Sequence, residues 1–188
     1  AKRPPPLSLR PTRITVADES LMELIHQLVE KNVVLKLAPH EVSTPGYYSP
    51  VFSIPKPGRT ERRFLFDLRS WNAYLKAPHF KMESLRDALT LIEQGNWLTS
   101  IDVKDAFYHV PVHRSSVRFL RFAVKLHSGE IEAFQFRCLP MGLSISPAIY
   151  TKIMKIPITL MRQSGVRVCV YMDDLLVVAS SERHSVRH

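Results

Sequence analysis

Apolar residues change spacing along the chain, and these changes predict the order of its elements. After Asp18 the apolar residues recur at the spacing of a helix. Asp18 and Glu19 lie at its predicted N-terminal end, where negative charge is favourable. One face of this helix is predicted to contain Leu21, Leu24, Ile25 and Leu28. A second helix is predicted over 84–94, with Ser84 as its cap and Gly95 at its end. A third is predicted over 146–163, kinked or interrupted at Pro157.

Shorter apolar runs, bounded by Gly, Pro and polar residues, predict strands. Trp97–Val103 is a single predicted strand. Three hairpins are predicted, at 51–54 with 64–68, at 119–124 with 131–136, and at 166–170 with 175–179. Hairpin, helix, strand, hairpin, helix and hairpin follow one another. This order predicts an α+β fold in which an antiparallel sheet carries helices on one face.

The charge balance narrows the choice of partner. The 188 residues contain 26 Lys and Arg but only 17 Asp and Glu, a net charge of +9. This excess favours a polyanion, with nucleic acid first and an anionic membrane surface second. A basic surface that is simply solvated is the alternative. No apolar run approaches the length of a membrane span.

The two cysteines indicate the redox state of the protein. Cys138 and Cys169 lie in apolar surroundings and have neither metal-ligand spacing nor a disulfide framework. Reduced core thiols in an intracellular protein are therefore expected.

Residues 1–17 are basic and Pro-rich and are interpreted as a linker or arm. The start AKRPPP lacks an initiator Met and a signal region, so we expect a piece of a longer polypeptide.

The tetrapeptide Tyr171-Met172-Asp173-Asp174 lies at the predicted tip of the last hairpin. Adjacent carboxylates repel each other, and a divalent cation with a preference for oxygen ligands would neutralise them. An acidic surface turn is the plain alternative. The apolar strands on both sides place the pair at the edge of a core, which favours the metal interpretation.

A third carboxylate, Asp102, closes the predicted strand Trp97–Val103, and Asp105 follows it. If this strand pairs beside the last hairpin, Asp102 is expected to face Asp173. Such a cluster suits two metal ions and phosphoryl transfer. A strand-end Asp that merely starts a turn is the alternative.

A basic hairpin loop supplies a second requirement of phosphoryl transfer, which is positive charge for phosphate groups. Arg63 would contact a phosphate with its fork of N–H groups, and Lys56 would act as a point charge. The loop also carries Arg59 and Arg62. A solvated loop with no ligand is the usual alternative for such a cluster.

Together these residues resemble the reverse transcriptases over Leu21 to Ser180, with retrotransposons of the DIRS type and long-terminal-repeat elements closest in style. The resemblance rests on five segments in the order of the family: YYSPVFSIPKPG (47–58), RRFLFDLRSWN (62–72), LTSIDVKDAFYHVPV (98–112), FQFRCLPMGLSISPAIY (134–150) and YMDDLLVVAS (171–180). Any one of these segments is weak evidence, but five in order are strong.

The resemblance implies a metal site for two Mg²⁺ ions, with Mn²⁺ as a possible substitute. Its ligands would be Asp102, Asp173, Asp174 and the backbone carbonyl of Val103. It also implies substrate contacts. The residues that would touch the triphosphate are Lys56 and Arg63 together with the amides of Asp105 and Ala106.

Further residues acquire roles from the same resemblance. Phe107 would be the steric gate that excludes a 2′-hydroxyl, with core packing as its alternative role. Tyr171 and Met172 would lie near the primer terminus. Met141 stands where retroviral enzymes usually have Gln, and Gly142 would allow close approach of the backbone to a ligand.

The resemblance divides the chain into the arm, a fingers-like region over 18–96, a palm-like region over 97–181 and a truncated tail over 182–188. A thumb, and often a ribonuclease H region, would follow in the parent chain, so this fragment alone is expected to hold a primer poorly. The implied function is RNA-directed DNA polymerase, a nucleotidyltransferase acting on an RNA or DNA template with its primer and on deoxynucleoside triphosphates. The rivals are a non-catalytic nucleic-acid-binding remnant, an RNA-directed RNA polymerase and an interaction module that uses the arm.

Overall fold

The computed structural model describes residues 5–58 and 60–182. Arg59 of the predicted basic loop, the first four residues of the predicted arm and the tail from 183 lie outside the described residues. The strands are β1 (Ile14–Val16), β2 (Val34–Lys36), β3 (Val51–Pro55), β4 (Arg62–Phe66), β5 (Trp97–Asp102), β6 (Arg121–Lys125), β7 (Ile131–Phe136), β8 (Arg167–Tyr171) and β9 (Asp174–Ala179). The α-helices are α1 (Glu19–Glu30), α2 (Pro39–Val42), α3 (Arg69–Asn72), α4 (Leu85–Leu89) and α5 (Ser146–Gln163).

The chain forms two compact units, and each is built from two separate segments. The first unit contains the residues up to Lys76 together with Phe107–Ser146, and the second contains Ala77–Ala106 and the chain from Pro147 onwards. The predicted regions 18–96 and 97–181 were continuous, so their boundaries differ from those of the compact units. Their assignment as fingers and palm stays a prediction.

The first unit contains a sheet of order β1-β6-β7-β2 and the separate hairpin β3-β4. β1 runs parallel to β6, and the other pairs are antiparallel. Aromatic rings fill its core, with Phe122 stacked on Phe134 at 5.2 Å between ring centres and Phe66 stacked on Phe136 at 5.0 Å. α1 begins after Asp18, whose side chain accepts a hydrogen bond from the Leu21 amide at 2.7 Å.

The second unit contains an antiparallel sheet of order β5-β9-β8. α5 packs on one face of this sheet through Ile158, which is buried with Val168 and Val177. These two valines are directly opposite each other in the ladder between β8 and β9. The apolar alternation of both strands therefore gives the hairpin one face that is covered by α5.

Most predicted elements are confirmed, and the differences have local causes. The first helix, the single strand, the three hairpins and the helix over 146–163 are present, and the fold is mixed α+β with several small sheets. The predicted helix over 84–94 ends at Leu89, although its Ser84–Asp87 capping box is formed. Part of the predicted arm is ordered, because Ile14–Val16 pairs with β6 and Ser8 pairs with Gly46. Within the described part of the chain, no helix is long and apolar enough to cross a membrane.

A buried arginine fastens an irregular segment of the first unit. Arg121 is only 4% exposed, and it donates to the Gln135 side chain at 2.9 Å and to both the carbonyl and the hydroxyl of Thr44 at 2.8 and 2.9 Å. Gly46 makes room for it, because a Cβ there would lie 2.6 Å from the Arg121 Cδ. The planar fork of the guanidinium matches three acceptors that a single ammonium group cannot reach together.

We therefore expect Arg121→Lys to destabilise the chain. Acceptors on Thr44 and Gln135 would lose their donors in a buried setting, at a cost of about 2 kcal/mol in the free energy of unfolding. Chemical denaturation measures this value. Arg137→Lys is the matched control, because the Arg137 side chain is exposed. Equal stabilities for the two variants would contradict the fastening role of Arg121.

Candidate active site

The pairing of β5 with β9 brings two of the predicted carboxylates together. The two strands are in register over six residue pairs, from Trp97 opposite Ala179 to Asp102 opposite Asp174. Side chains of directly opposite residues emerge on the same face of a sheet. Asp102 and Asp174 therefore share one face of the second unit, and both are exposed to solvent.

Asp173 lies in the turn between β8 and β9, one residue beyond the ladder. Tyr171 and Asp174 are the last pair of the hairpin, which leaves Met172 and Asp173 as a two-residue loop. The Asp173 carbonyl accepts a hydrogen bond from the Val103 amide at 2.9 Å. This bond ties the turn to the residue that follows β5.

The expectation that Asp102 faces Asp173 is therefore wrong in detail, because its partner is Asp174. The cause is the register between β5 and β9. In that register Val103, not Asp102, lies across from Asp173, and its amide donates to the Asp173 carbonyl. This hydrogen bond to Val103 holds the backbone of Asp173 next to the residue that follows Asp102.

Met172 adopts a backbone conformation that is unusual for its residue type. Its φ is +60°, whereas Asp173 has no positive φ. A positive φ at only the first of the two loop residues is the pattern of a type II′ turn, which favours glycine at that position. The backbone of the hairpin is therefore strained at Met172, which directly precedes Asp173 and Asp174. Strain of this kind is concentrated at functional sites in proteins.

The charge of Asp173 extends to a buried tyrosine on α5. Burial raises the pKa of the Tyr150 hydroxyl, and the nearby negative charge of Asp173 raises it further. Tyr150 is 3% exposed. The phenol is therefore neutral over the ordinary pH range and adds no negative charge beside the aspartates.

The donor set fits a hard divalent cation, but the side chains do not converge into a formed metal centre. Among the residues that the structure describes, no group of three or more His, Cys, Asp or Glu side chains is placed to hold a metal ion. Asp102 and Asp174 nevertheless offer carboxylate oxygens from adjacent strands on one face. Oxygen donors of this kind are the ligands that Mg²⁺ prefers.

A cleft of about 350 Å³ borders Asp174 within the second unit. α4 forms one wall through Leu85 and Ala88, and the strands contribute Cys169 and Tyr171. Burial raises the pKa of the Cys169 thiol, and the neighbouring carboxylate of Glu83 acts in the same direction. Cys138 is likewise a buried free cysteine.

In the first unit, three of the predicted substrate residues line one cleft of about 500 Å³, namely Arg63, Met141 and Gly142. The cleft also contains Asp67 and Arg69. Arg69 donates to both carboxylate oxygens of Asp67, at 2.9 and 2.8 Å. Hydrogen bonding from this guanidinium holds the pKa of the Asp67 carboxyl below its usual range.

Lys56 lies elsewhere in the same unit. Its ammonium group forms an ion pair with Glu61, and its amide donates to the Glu61 carbonyl at 2.9 Å across the hairpin loop. Lys56 also lines a polar cleft with Glu23 of α1. A phosphate ligand would have to compete with Glu61 for this cation.

Asn72 fastens the loop that carries Met141 and Gly142. Its amide group donates to the Gly142 carbonyl at 2.8 Å and accepts from the Ser144 amide at 2.9 Å. Ser146 adds a bond to the Pro140 carbonyl at 3.0 Å. Sequence reasoning placed Asn72 within a family segment but gave it no role. The signal was its position at the end of D-L-R-x-x-N, whose partner residues only the fold reveals.

The segment that follows β5 carries the remaining predicted residues. Asp105 has a φ of +56°, which an Asp tolerates better than most residues, and Ala106 is 5% exposed. Phe107 lies in a short 3₁₀ helix, Ala106–His109, and is half-buried. The boundary between the two compact units falls between Ala106 and Phe107.

The family of the chain follows from comparison with known proteins. The family described as reverse transcriptase (RNA-dependent DNA polymerase) matches residues 20–188. The chain therefore belongs to the reverse transcriptases and is an RNA-dependent DNA polymerase domain by family.

Retroviral and retrotransposon proteins are among its relatives. The chain is 31% identical to the Gag-Pol polyprotein of bovine immunodeficiency virus, over 88% of its length and 11% of the relative. It is 30% identical to the Gag-Pol polyprotein of walleye dermal sarcoma virus, over 88% of its length and 9% of the relative. It is 26% identical to the retrovirus-related Pol polyprotein from transposon 412 of Drosophila melanogaster, over 90% and 13%. The chain thus spans about a tenth of the length of these relatives.

We expect Gly142→Ala to destabilise the loop of the first-unit cleft. Gly142 has a φ of +88°, and an added Cβ would lie 3.2 Å from the Phe66 carbonyl oxygen. Left-handed backbone and this close approach together should cost about 2–3 kcal/mol in the free energy of unfolding, measured with denaturant.

Gly129→Ala separates these two causes. Gly129 has a nearly equal φ of +87°, but a Cβ added there would meet nothing within 4 Å. Its substitution should cost only the backbone part, about 1–2 kcal/mol. Equal losses for both variants would show that the approach to Phe66 is not a constraint.

Proposed function

We propose that the chain is the fingers and palm portion of an RNA-directed DNA polymerase. The hairpin β3–β4 would belong to the fingers, and the sheet β5-β9-β8 would be the catalytic part of the palm. Family membership supports the class of enzyme. The observation that carries the proposal is the register that sets Asp102 opposite Asp174, with Asp173 in the adjoining turn.

The residues of the second unit would hold the reacting end of the primer and the cations. Asp102, Asp173, Asp174 and the Val103 carbonyl would be the ligands of two Mg²⁺ ions. When bound, these ions supply activation of the primer 3′-hydroxyl and stabilisation of the departing pyrophosphate. Tyr171 and Met172 would lie beside the primer terminus, and the strained turn would fix their position.

The residues of the first unit would hold the nucleotide and template. Arg63 lines a cleft with Met141 and Gly142 and is suited to a phosphate through its paired N–H groups. Lys56 would exchange its ion pair with Glu61 for the triphosphate. The amides of Asp105 and Ala106, which belong to the second unit, are the other predicted contacts of the triphosphate.

The reaction itself asks little covalent chemistry of the protein. The primer 3′-hydroxyl oxygen bonds to the α-phosphorus of a deoxynucleoside triphosphate, the bond from that phosphorus to the β-phosphate oxygen breaks, and pyrophosphate leaves. The side chains orient the reactants and balance charge, which is how most phosphoryl transfer is catalysed. The net charge of +9 favours retention of template and primer.

The template would be RNA or DNA with an annealed primer, and the parent would be a retroelement polyprotein. Support comes from the Gag-Pol and Pol polyproteins to which the chain is related. A thumb, and in many cases a ribonuclease H region, would complete the grip on the primer. The DIRS-type and long-terminal-repeat styles of retrotransposon stay the predicted subgroup.

Asp173→Asn tests the role of the carboxylates. Loss of one negative charge should lower the rate of primer extension on an RNA template with Mg²⁺ by at least about 100-fold, because charge stabilisation is the main catalytic contribution. Extension is measured with the purified chain and with a longer polypeptide that contains it. The thermal midpoint should be unchanged, since Asp173 is in a turn outside the ladder.

Glu130→Gln removes one charge at an exposed loop position and serves as the control. Full extension by Asp173→Asn would refute the metal-site assignment. Binding of template and primer without nucleotide incorporation, by a longer polypeptide with all three aspartates intact, would favour the non-catalytic remnant instead.

Phe107→Ala tests the steric gate. Removal of the ring should raise incorporation of ribonucleotides relative to deoxynucleotides, because space would open for a 2′-hydroxyl. The ratio of kcat/KM for deoxynucleotides to kcat/KM for ribonucleotides should fall about tenfold or more, the effect expected when a few contacts that discriminate between substrates are lost. The comparison uses single-nucleotide incorporation with both sugar types.

Phe119→Ala is the control for loss of an aromatic ring, because Phe119 stacks on Trp71 and has no assigned substrate role. An unchanged sugar preference in Phe107→Ala would assign Phe107 to core packing. A preference of the unsubstituted chain for ribonucleotides would favour an RNA-directed RNA polymerase.

A further inference from the structure

β8 is an edge strand of the sheet in the second unit. The strand order is β5-β9-β8, so β9 pairs with one side of β8, and no strand of the described part of the chain pairs with the other side. Edge strands expose backbone N–H and C=O groups, and proteins usually cover or block them. The edge of β8 matters because its last residue, Tyr171, leads into the turn with Met172 and Asp173.

Two charged side chains cover this edge. The Val170 amide donates to Glu83 Oε2 at 2.7 Å, and Arg162 Nη2 donates to the Val168 carbonyl at 2.7 Å. The carbonyl of one strand residue and the amide two positions later point to the same side of a strand. Glu83 and Arg162 therefore occupy the positions that a neighbouring strand would take.

These two side chains also bind each other. Arg162 Nη2 donates to Glu83 Oε1 at 2.6 Å, which joins the segment before α4 to the last turn of α5. Their side chains are 44% and 32% exposed. Burial disfavours ionisation of Glu83, but the Val170 amide and Arg162 outweigh it and hold the pKa of this carboxyl below its usual range. Glu83 is thus charged, and its two oxygens serve two different partners.

The same pair reaches the turn through a shared cavity. A cavity of about 130 Å³ is lined by Glu83, Arg162 and Val170 together with Met172. Met172 is the residue with the strained backbone at the tip of the hairpin. A shift of Glu83 or Arg162 would therefore change both the edge of β8 and the wall against which Met172 lies.

We propose that Glu83 and Arg162 are positioning residues, which clamp the free edge of β8 and so fix the turn that presents Asp173 and Asp174. The inference rests on the proposed function for its catalytic consequence. It names a side-chain pair outside the aspartates and the phosphate-binding residues. A general structural role would affect the stability of the whole unit, whereas the clamp acts on one strand and its turn.

Amide hydrogen exchange of the purified chain tests the clamp without any assay of activity. In Glu83→Ala the Val170 amide loses a charged acceptor, so its exchange should become at least about tenfold faster. The amides of Met172, Asp173 and Asp174 should also exchange faster, while those of β9 from Val177 onwards keep their rates. Glu83→Gln keeps an acceptor for Val170 and a nearly equal shape, so its effect on Val170 should be smaller.

Glu93→Gln is a matched control at the same strand. Glu93 forms an ion pair with the side chain of Arg167 of β8 at 3.7 Å, so it contacts the strand through a side chain, whereas Glu83 accepts from the strand backbone. Exchange in β8 should be unchanged in this variant. Unchanged exchange at Val170 in Glu83→Ala, or an equal acceleration over the whole second unit, would overturn the clamp.

Kinetics then test the consequence for the turn. Glu83→Ala and Arg162→Lys should lower kcat for nucleotide incorporation about 10- to 100-fold, with a smaller change in KM, because a small displacement of a catalytic group has this effect. Unchanged kcat per active molecule would overturn the positioning role. If the unsubstituted chain incorporates no nucleotide, the proposed function fails, and the exchange measurements still decide whether the clamp exists.

Discussion

The register between β5 and β9 is the constraint on which the candidate site depends. Side chains alternate between the two faces of a strand, so a slip of one residue would move Asp102 to the face opposite Asp174. The register is secured by one apolar cluster, in which Leu175 and Val177 of β9 are buried with Ile158 of α5. Val103, the residue after β5, packs against the same cluster. Burial of a hydrophobic core thus determines which carboxylates meet on the other face.

Where helices and sheets end, side chains form hydrogen bonds to the backbone. Asn72 bonds the loop of Gly142 and Ser144, Arg121 bonds Thr44, and Glu83 bonds the edge of β8. In each case a polar group satisfies backbone atoms that no helix or sheet can pair. This arrangement lets irregular segments carry functional residues while their backbones stay fixed.

Sequence reasoning succeeded where a pattern was long and failed where it was short. The 12 residues of α1 and the 18 of α5 show clear periodicity, whereas β1 and β2 have three residues each and show none. α4 is shorter than predicted because Thr90 donates back to the Asp87 carbonyl and the chain then turns at Glu93 and Asn96. The three aspartates were predicted from motifs, but the partner of Asp102 depends on the register between β5 and β9, which the motif does not encode.

Met172 has a consequence for sequence variation at the tip of the hairpin. A residue held at a φ of +60° is selected first by its backbone, since branching at Cβ makes the left-handed region costly. Unbranched side chains and glycine satisfy that requirement, whereas valine, isoleucine and threonine do not. The range of residues accepted at this position is therefore narrow for conformational reasons, before any contact with primer or nucleotide is considered.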